Sequence, residues 1–164
     1  MQEQLDRGLI DFGVVYGPVD ASKYNSIKVP IPDRWGIYMR KDDPMAEMEY
    51  IRPEDLWDKP LIVSAQKSDD WPLAKWIKKD LNDLNIVAHY NLVFNASIMV
   101  EEGLGYALSF DKLINVSGDS KLYFIPLDPP LVSEASVIWK KYQIFSKAAQ
   151  KYMDELKKCF EEMN

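Results

Sequence analysis

The stretch at 64–68 carries the side chains best suited to binding a ligand. It consists of three neutral hydrogen-bond donors and one cation around an alanine: Ser64, Gln66, Ser68 and Lys67. It falls between a predicted strand at 60–64 and the start of a predicted helix at 72–84. In open α/β sheets, ligands bind at the carboxyl ends of strands, and free amides at helix starts favour anions. The pattern predicts an anion site, with an ordinary solvated loop as the alternative.

The next predicted helix, at 95–102, raises the same question. Its first residues include Asn95 and Ser97, whose polar side chains could reach a ligand at the helix start. Capping of the first backbone amides would explain both residues equally well.

Groups with catalytic potential lack the partners that catalysis requires. Gly103 and Gly105 form a Gly-x-Gly, but it follows a predicted helix and precedes a strand, the reverse of a dinucleotide-binding loop. His89 lies in a predicted strand with no nucleophile or acid supplied by a sequence pattern. One cysteine and one histidine cannot form a cysteine–histidine zinc site. The sequence therefore predicts a protein that is not an enzyme, without a metal or cofactor.

The composition and the charge of the chain limit the kinds of molecule that it can bind. The chain has 164 residues, 47% of them hydrophobic, which suits one domain or two small lobes with a real core. Its net charge of −6 makes direct binding of a nucleic-acid backbone a poor prospect. No signal peptide opens the chain, and no apolar run approaches the ~18 residues of a membrane helix. We expect a cytoplasmic protein without a membrane partner.

The predicted elements alternate between strands and helices, which indicates an α/β fold with mostly parallel sheets. The chain begins with a short helical segment that ends at Gly8, and an apolar strand at 10–16 follows. Because no helix start precedes this segment, we expect the sequence to begin in the middle of a larger fold. The chain ends in a predicted amphipathic helix at 142–161. Its apolar face includes Cys159, which we expect to be a small buried or partly buried residue.

Several motifs, in this order, resemble the effector-binding domain of LysR-type transcriptional regulators. They are Leu5-x-x-Gly8-x-x-Asp11-Phe12-Gly13, Asp43-Pro44-Met45-Ala46, Pro60-Leu61-Ile62-Val63, the run from Met99 to Leu108, and Trp139-Lys140-Lys141 before the last helix. The resemblance implies two α/β lobes, as in type 2 periplasmic binding proteins. Lobe one would comprise 1–40 and 123–164, and lobe two 41–122. The hinge would lie near 35–40 and 120–127.

Two features of the family are missing from this sequence. The helix-turn-helix DNA-binding domain is absent, in agreement with the acidic charge, so DNA would be contacted only through a domain outside this chain. The opening strand, helix and second strand of lobe one are also absent. The resemblance therefore implies an N-terminally truncated domain with an incomplete lobe one. An uncovered sheet edge would permit a homo-oligomer.

The function implied by the resemblance is that of a ligand sensor, with a small anionic metabolite bound between the lobes. The predicted ligand-binding residues are Ser64, Gln66, Ser68, Asn95, Phe110 and Tyr16. Phe110 occurs where the family usually has a proline, and it would either wall the cleft or pack in the core. The alternative is a free-standing solute-binding protein of a transporter, which shares the fold but requires export.

Overall fold

The chain folds into two compact units. The computed structural model describes residues 1–65 and 72–163. Unit 1 comprises Met1–Asp33 and Ser133–Asn164, and unit 2 comprises Arg34–Val132. The division into lobes at 1–40, 41–122 and 123–164 stays a prediction.

Strands and helices are mixed along the whole chain. The strands are β1 (Gly13–Tyr16), β2 (Tyr24–Lys28), β3 (Asp33–Arg40), β4 (Leu61–Ser64), β5 (Ile86–Tyr90), β6 (Tyr106–Phe110), β7 (Leu122–Pro126), β8 (Val132–Ser133) and β9 (Ala135–Lys140). The α-helices are α1 (Gln2–Asp6), α2 (Pro72–Trp76), α3 (Val93–Glu101) and α4 (Lys147–Glu162). Short 3-10 helices occupy Pro44–Glu47, Pro53–Leu56 and Leu81–Asp83. None of the helices within the described ranges is long and apolar enough to cross a membrane.

Unit 1 is built on a three-stranded antiparallel sheet in the order β1-β9-β2. Leu5 of α1 is completely buried in a cluster with Tyr24 and Ile138. Gly13 lies opposite Ile138 on β9, and a Cβ on Gly13 would come within 2.8 Å of the Met1 sulfur. The absence of a side chain at this position therefore lets α1 pack directly on β1.

The last helix begins five residues later than predicted. Tyr142 takes a left-handed φ of 60°, and the hydroxyl of Ser146 accepts a hydrogen bond from the Ala149 amide at 3.1 Å. A left-handed residue interrupts a helix, and a serine cap then starts α4. Cys159 is exposed on α4, so the expectation that it is a small buried residue is wrong.

Unit 2 contains a six-stranded sheet with the order β5-β4-β6-β3-β7, in which β8 pairs with β3. Strand β4 runs parallel to β5 and β6, whereas β3 is antiparallel to β6 and β7. The expectation of mostly parallel sheets is therefore wrong. Alternation of helices and strands does not tell which distant strands will pair, and β3 pairs with strands far along the chain.

Both faces of this sheet are covered. Alternate residues of β3, β4 and β6 point to opposite faces, so each strand contributes to two apolar clusters. One cluster includes Trp35, Ile37, Leu61, Val63 and Leu108, and α2 contributes Leu73 and Trp76 to it. The other includes Tyr38, Ile62, Tyr90 and Ala107, and α3 contributes Ala96 and Val100. A sheet buried on both faces holds its strand ends in fixed positions.

The predicted helix at 72–84 is wrong beyond its first part. Helix α2 ends at Trp76, and Lys78 takes a left-handed φ of 54°. The Asp80 carboxylate then accepts a hydrogen bond from the Asn82 amide at 2.9 Å, which starts a separate 3-10 helix. The apolar stripe is buried nonetheless, since Ile77 and Leu84 both lie in the core. Local capping by the aspartate overrides the helical spacing of the apolar residues.

Gly105 permits the close approach of β6 to the beginning of β4. The Tyr106 amide donates to the Pro60 carbonyl oxygen at 2.8 Å, and a Cβ on Gly105 would overlap that oxygen. We expect Gly105→Ala to lower the free energy of unfolding by about 3 kcal/mol, because backbone must move to admit the methyl group. Urea unfolding measures this change.

The matched control is Gly118→Ala, which has open space around its Cβ position but a left-handed φ of 59°. It should lose only about 1 kcal/mol from backbone strain. Equal losses in the two variants would contradict the close-approach explanation.

Strand β1 is an edge strand without protection against further pairing. It contains no charge or proline, and Val14 is 54% exposed. Strand β2 at the other edge ends in Lys28, whose ammonium lies 2.8 Å from the Glu134 carboxylate. Charged residues on an edge hinder pairing with another chain, and uncharged edges favour it.

We therefore expect the chain to self-associate through β1 as its concentration rises, and Val14→Lys to reduce this association. Light-scattering mass measured over a concentration series tests the expectation. The control is Val132→Lys, since Val132 is 49% exposed and lies in unit 2. A wild-type chain that stays monomeric throughout the series would show the expectation to be wrong.

Candidate functional site

The last residues of three parallel strands meet at one edge of the unit 2 sheet. Strand β4 ends at Ser64, β5 at Tyr90 and β6 at Phe110. Because β4 is parallel to both of its neighbours, their carboxyl ends lie at the same edge. This is where open α/β sheets bind ligands.

Ser64 lies beside the strand end that leads into α3. It is the register partner of Tyr90, and the Ala65 amide donates to the Tyr90 carbonyl oxygen at 2.8 Å. Helix α3 starts three residues after Tyr90. Ser64 is therefore paired with the residue that precedes the segment leading into α3, and a ligand site shared by Ser64 and Asn95 stays a prediction.

Among the described residues, no side chain caps the start of α3. Its cap position is Leu92, in extended conformation, and there is no acidic residue in the first turn. The Asn95 amide donates to the Leu92 carbonyl oxygen at 3.0 Å. Uncapped amides at a helix start attract anions, and the absence of an acidic side chain leaves that attraction unopposed.

Asn95 does not cap the helix, so the capping interpretation of this residue is wrong. It is the third residue of α3, and its side chain is exposed. Ser97 has a role inside the helix instead: its hydroxyl donates to the Phe94 carbonyl oxygen at 2.7 Å, and the residue is buried. The helix begins two residues earlier than the sequence predicts, at Val93.

Apolar side chains surround this helix start. Leu92 is 65% exposed and Phe94 is 64% exposed. Backbone amides next to exposed apolar groups suit a ligand that combines a negative charge with a hydrocarbon part.

Two buried tyrosines fix the carboxyl end of β6. The Tyr90 hydroxyl donates to the Leu108 carbonyl oxygen at 2.9 Å, and the Tyr38 hydroxyl donates to the Phe110 carbonyl oxygen at the same distance. Burial raises the pKa of Tyr90, and a hydrogen bond with the Ser109 side chain partly offsets the rise. Burial also raises the pKa of Tyr38, whose oxygen accepts from the Ile114 amide at 3.4 Å. Both tyrosines are therefore held neutral and hydrogen-bonded.

The sequence argument missed Tyr90. The available signal was its position as the last residue of an apolar strand, immediately before a helix start. A buried tyrosine normally has a partner for its hydroxyl, but the sequence does not show which carbonyl will accept it.

Phe110 packs against an aromatic ring of the core. Its ring centroid lies 4.5 Å from that of Trp35, its register partner on β3. The neighbouring Asp111 carboxylate lies 2.9 Å from the Arg34 guanidinium. These contacts support the packing interpretation, and a role for Phe110 in walling a cleft stays a prediction.

Tyr16 ends β1 in unit 1 and is half exposed. Its hydroxyl donates to the Asp33 carboxylate at 2.6 Å. Partial burial and, secondarily, this carboxylate raise the pKa of Tyr16. Its contact with a ligand stays a prediction.

The remaining residues considered for chemistry are three of the 64–68 stretch and His89. Gln66, Ser68 and Lys67 lie outside the described residues. His89 is exposed on β5. Across 1–65 and 72–163, no group of three or more His, Cys, Asp or Glu side chains is arranged to hold a metal ion.

Comparison with known proteins gives one family match. The profile of the family described as LysR substrate binding domain matches residues 1–160. The comparison with curated protein sequences gives no significant match.

Solved structures share the fold at low sequence identity. HinK, a LysR family transcriptional regulator from Pseudomonas aeruginosa, superposes with a TM-score of 0.76 at 18% identity, covering 93% of this chain and 54% of HinK. The chain therefore spans about half the length of that regulator. The Synechocystis PCC6803 CcmR regulatory domain, solved with 2-PG, has a TM-score of 0.76 at 16% identity, covering 99% of this chain and 79% of that one. The BenM effector-binding domain, solved with its effector benzoate, has a TM-score of 0.68 at 15% identity, covering 88% of this chain and 67% of that domain.

The hydrogen bond from Tyr16 to Asp33 gives a titration test. We expect Asp33→Asn to lower the pKa of Tyr16, but not to the ordinary value of about 10, because burial is the larger cause. NMR of the Tyr16 ring against pH measures the change, and Asp119→Asn is the control.

The hydrogen bond from Tyr16 to Asp33 also makes the stability of the folded chain depend on pH. The raised pKa favours the neutral tyrosine in the folded state, so its stabilisation is present below pH about 10 and is lost as pH rises through the folded pKa. Wild type should lose more stability than Asp33→Asn over that interval. An unchanged Tyr16 titration in Asp33→Asn would contradict both expectations.

Proposed function

Because this chain belongs to the LysR substrate binding domain family, we propose that it is the ligand-sensing domain of a cytoplasmic transcriptional regulator and binds a small organic anion. The family is one of transcriptional regulators, and the fold matches those of their effector-binding domains. We further propose that the anion binds at the carboxyl ends of β4 and β5 in unit 2.

The observation that carries the proposal is the uncapped start of α3 beside Ser64. Leu92 supplies no side-chain acceptor to the first amides of the helix, and the first turn has no acidic residue. Ser64 is the register partner of Tyr90, just ahead of that helix. A carboxylate or phosphate placed there would accept hydrogen bonds from backbone amides and meet the positive end of the helix dipole.

The ligand of one similar structure agrees with the proposed chemical class. Benzoate, the effector in the BenM structure, combines a carboxylate with an apolar ring. The amides at the start of α3 would bind such a carboxylate, and the exposed Leu92 and Phe94 would contact the apolar ring. We include Ser64, Gln66, Ser68 and Asn95 in the proposed site, with Phe110 and Tyr16 as further candidates.

A sensor works through differential affinity. A ligand shifts the balance between two conformations only as far as it binds one more tightly than the other. We propose that ligand binding here favours one conformation of the regulator, and that the change reaches a DNA-binding domain outside these 164 residues.

Asn95→Asp tests the site directly. We expect this substitution to weaken anion binding about tenfold, roughly 1.4 kcal/mol, since it places a carboxylate in the first turn of α3. Wild type and variant would be titrated with benzoate, 2-PG, succinate and inorganic phosphate by calorimetry and by amide NMR. The strongest shifts should fall at 64–65 and 92–95.

The control is Asn25→Asp, which makes the same charge change at an exposed position of β2 in unit 1. It should leave the affinity unchanged. Benzyl alcohol, the neutral counterpart of benzoate, should not bind. No binding of any anion by wild type, or equal losses in both variants, would count decisively against the proposed site.

A further inference from the structure

We propose that Tyr90 is the positioning residue of the anion site, because its backbone and its side chain together hold the ends of β4 and β5 to the middle of β6. The ligand part of this inference rests on the proposed function. The part that concerns the strand ends stands on the geometry of unit 2 alone and can be tested without a ligand.

The backbone of Tyr90 holds β4. Its carbonyl oxygen accepts a hydrogen bond from the Ala65 amide at 2.8 Å, one residue after the end of β4. This bond continues the parallel pairing one step past the strand and fixes the direction in which the chain leaves Ser64.

The side chain of Tyr90 holds β6, which is not its neighbour. The strand order is β5-β4-β6, yet the Tyr90 hydroxyl donates to the Leu108 carbonyl oxygen at 2.9 Å. Neighbouring strands are separated by about 4.8 Å, so the ring must extend across β4 to reach β6. Tyr90 shares its apolar cluster with Ile62 of β4, and only 8% of the tyrosine is exposed.

The hydrogen bond from Tyr90 to Leu108 belongs to a buried group of hydrogen-bonded residues. The Ser109 side chain is hydrogen-bonded to Tyr90, and only 3% of Ser109 is exposed. A phenylalanine would fill the same space, but it would leave the Ser109 hydroxyl without this partner and remove the tyrosine donor from Leu108. Buried polar groups that lose a partner are costly, so the strand ends would shift to find new ones.

The position of Tyr90 connects this group to the proposed anion site. Leu92, the cap residue of α3, follows two residues later. The same residue therefore sets the start of α3 and the exit of β4 relative to β6. Donors held in place before the ligand arrives cost less to order on binding, so loss of this bond should weaken affinity.

Hydrogen exchange of the full chain tests the structural part. In Tyr90→Phe we expect exchange of the Ala65 amide and of the amides at 108–110 to accelerate about three- to tenfold. The matched control is Tyr24→Phe in unit 1, where Tyr24 is 4% exposed and its hydroxyl donates to the Asp6 carboxylate at 2.8 Å. The control should leave these amides unchanged.

Titration with benzoate and with inorganic phosphate tests the functional part. Tyr90→Phe should raise the Kd of whichever probe binds wild type by about three- to tenfold, while Tyr24→Phe should leave it unchanged. If both variants lower the melting temperature by a similar amount and only Tyr90→Phe loses affinity, Tyr90 acts by positioning the site. General destabilisation would weaken binding in both variants.

The outcomes separate the two proposals. If wild type binds neither probe, the proposed function fails for these anions, and exchange at Ala65 and 108–110 alone decides the role of Tyr90. Unchanged exchange in Tyr90→Phe, or an unchanged Kd where wild type binds, overturns the role of Tyr90. Should Tyr90→Phe fail to fold, Ser109→Ala carries the same test, because it removes one bond of the group and keeps the tyrosine.

Discussion

The parallel pairing of β4 with both β5 and β6 is the constraint on which the candidate site depends. It places three strand ends, Ser64, Tyr90 and Phe110, at one edge of the sheet. Parallel strands require burial on both faces, and the two apolar clusters of unit 2 supply it. Packing of the two apolar clusters therefore fixes the strand ends at which we propose that a ligand binds.

Gly105 is a second part of this constraint. Strand β6 reaches β4 only because no Cβ lies between Gly105 and the Pro60 carbonyl oxygen. The Gly-x-Gly that suggests a nucleotide loop thus serves a close backbone contact at the beginning of β6, in agreement with the helix-then-strand context of the sequence. Gly105 therefore belongs to the pairing of β6 with β4 and not to a nucleotide-binding loop.

Much of unit 2 was predictable from the sequence, and the failures have identifiable physical causes. Strand β4 lies within the predicted strand at 60–64, where an apolar run is followed by polar residues. The helix at 72–84 was overextended because the spacing of its apolar residues also fits α2 followed by the 3-10 helix that Asp80 starts. The Tyr90 bond to Leu108 spans an intervening strand, and no local pattern reports the strand order. Asn95 was taken for a possible cap because an uncapped start at Leu92 has no sequence signal of its own.

The proposed site would bind an anion mainly through groups that donate hydrogen bonds. Its described polar groups are backbone amides, the Ser64 hydroxyl and the exposed carboxamide of Asn95. Two tyrosines of the same sheet, Tyr38 and Tyr90, are held neutral by burial and donate hydrogen bonds to backbone carbonyl oxygens. These hydrogen bonds fix β6, whereas the start of α3 is the part of the proposed site at which we expect an anion to bind. A ligand bound there would shift a conformational balance only as far as it binds one conformation more tightly than the other.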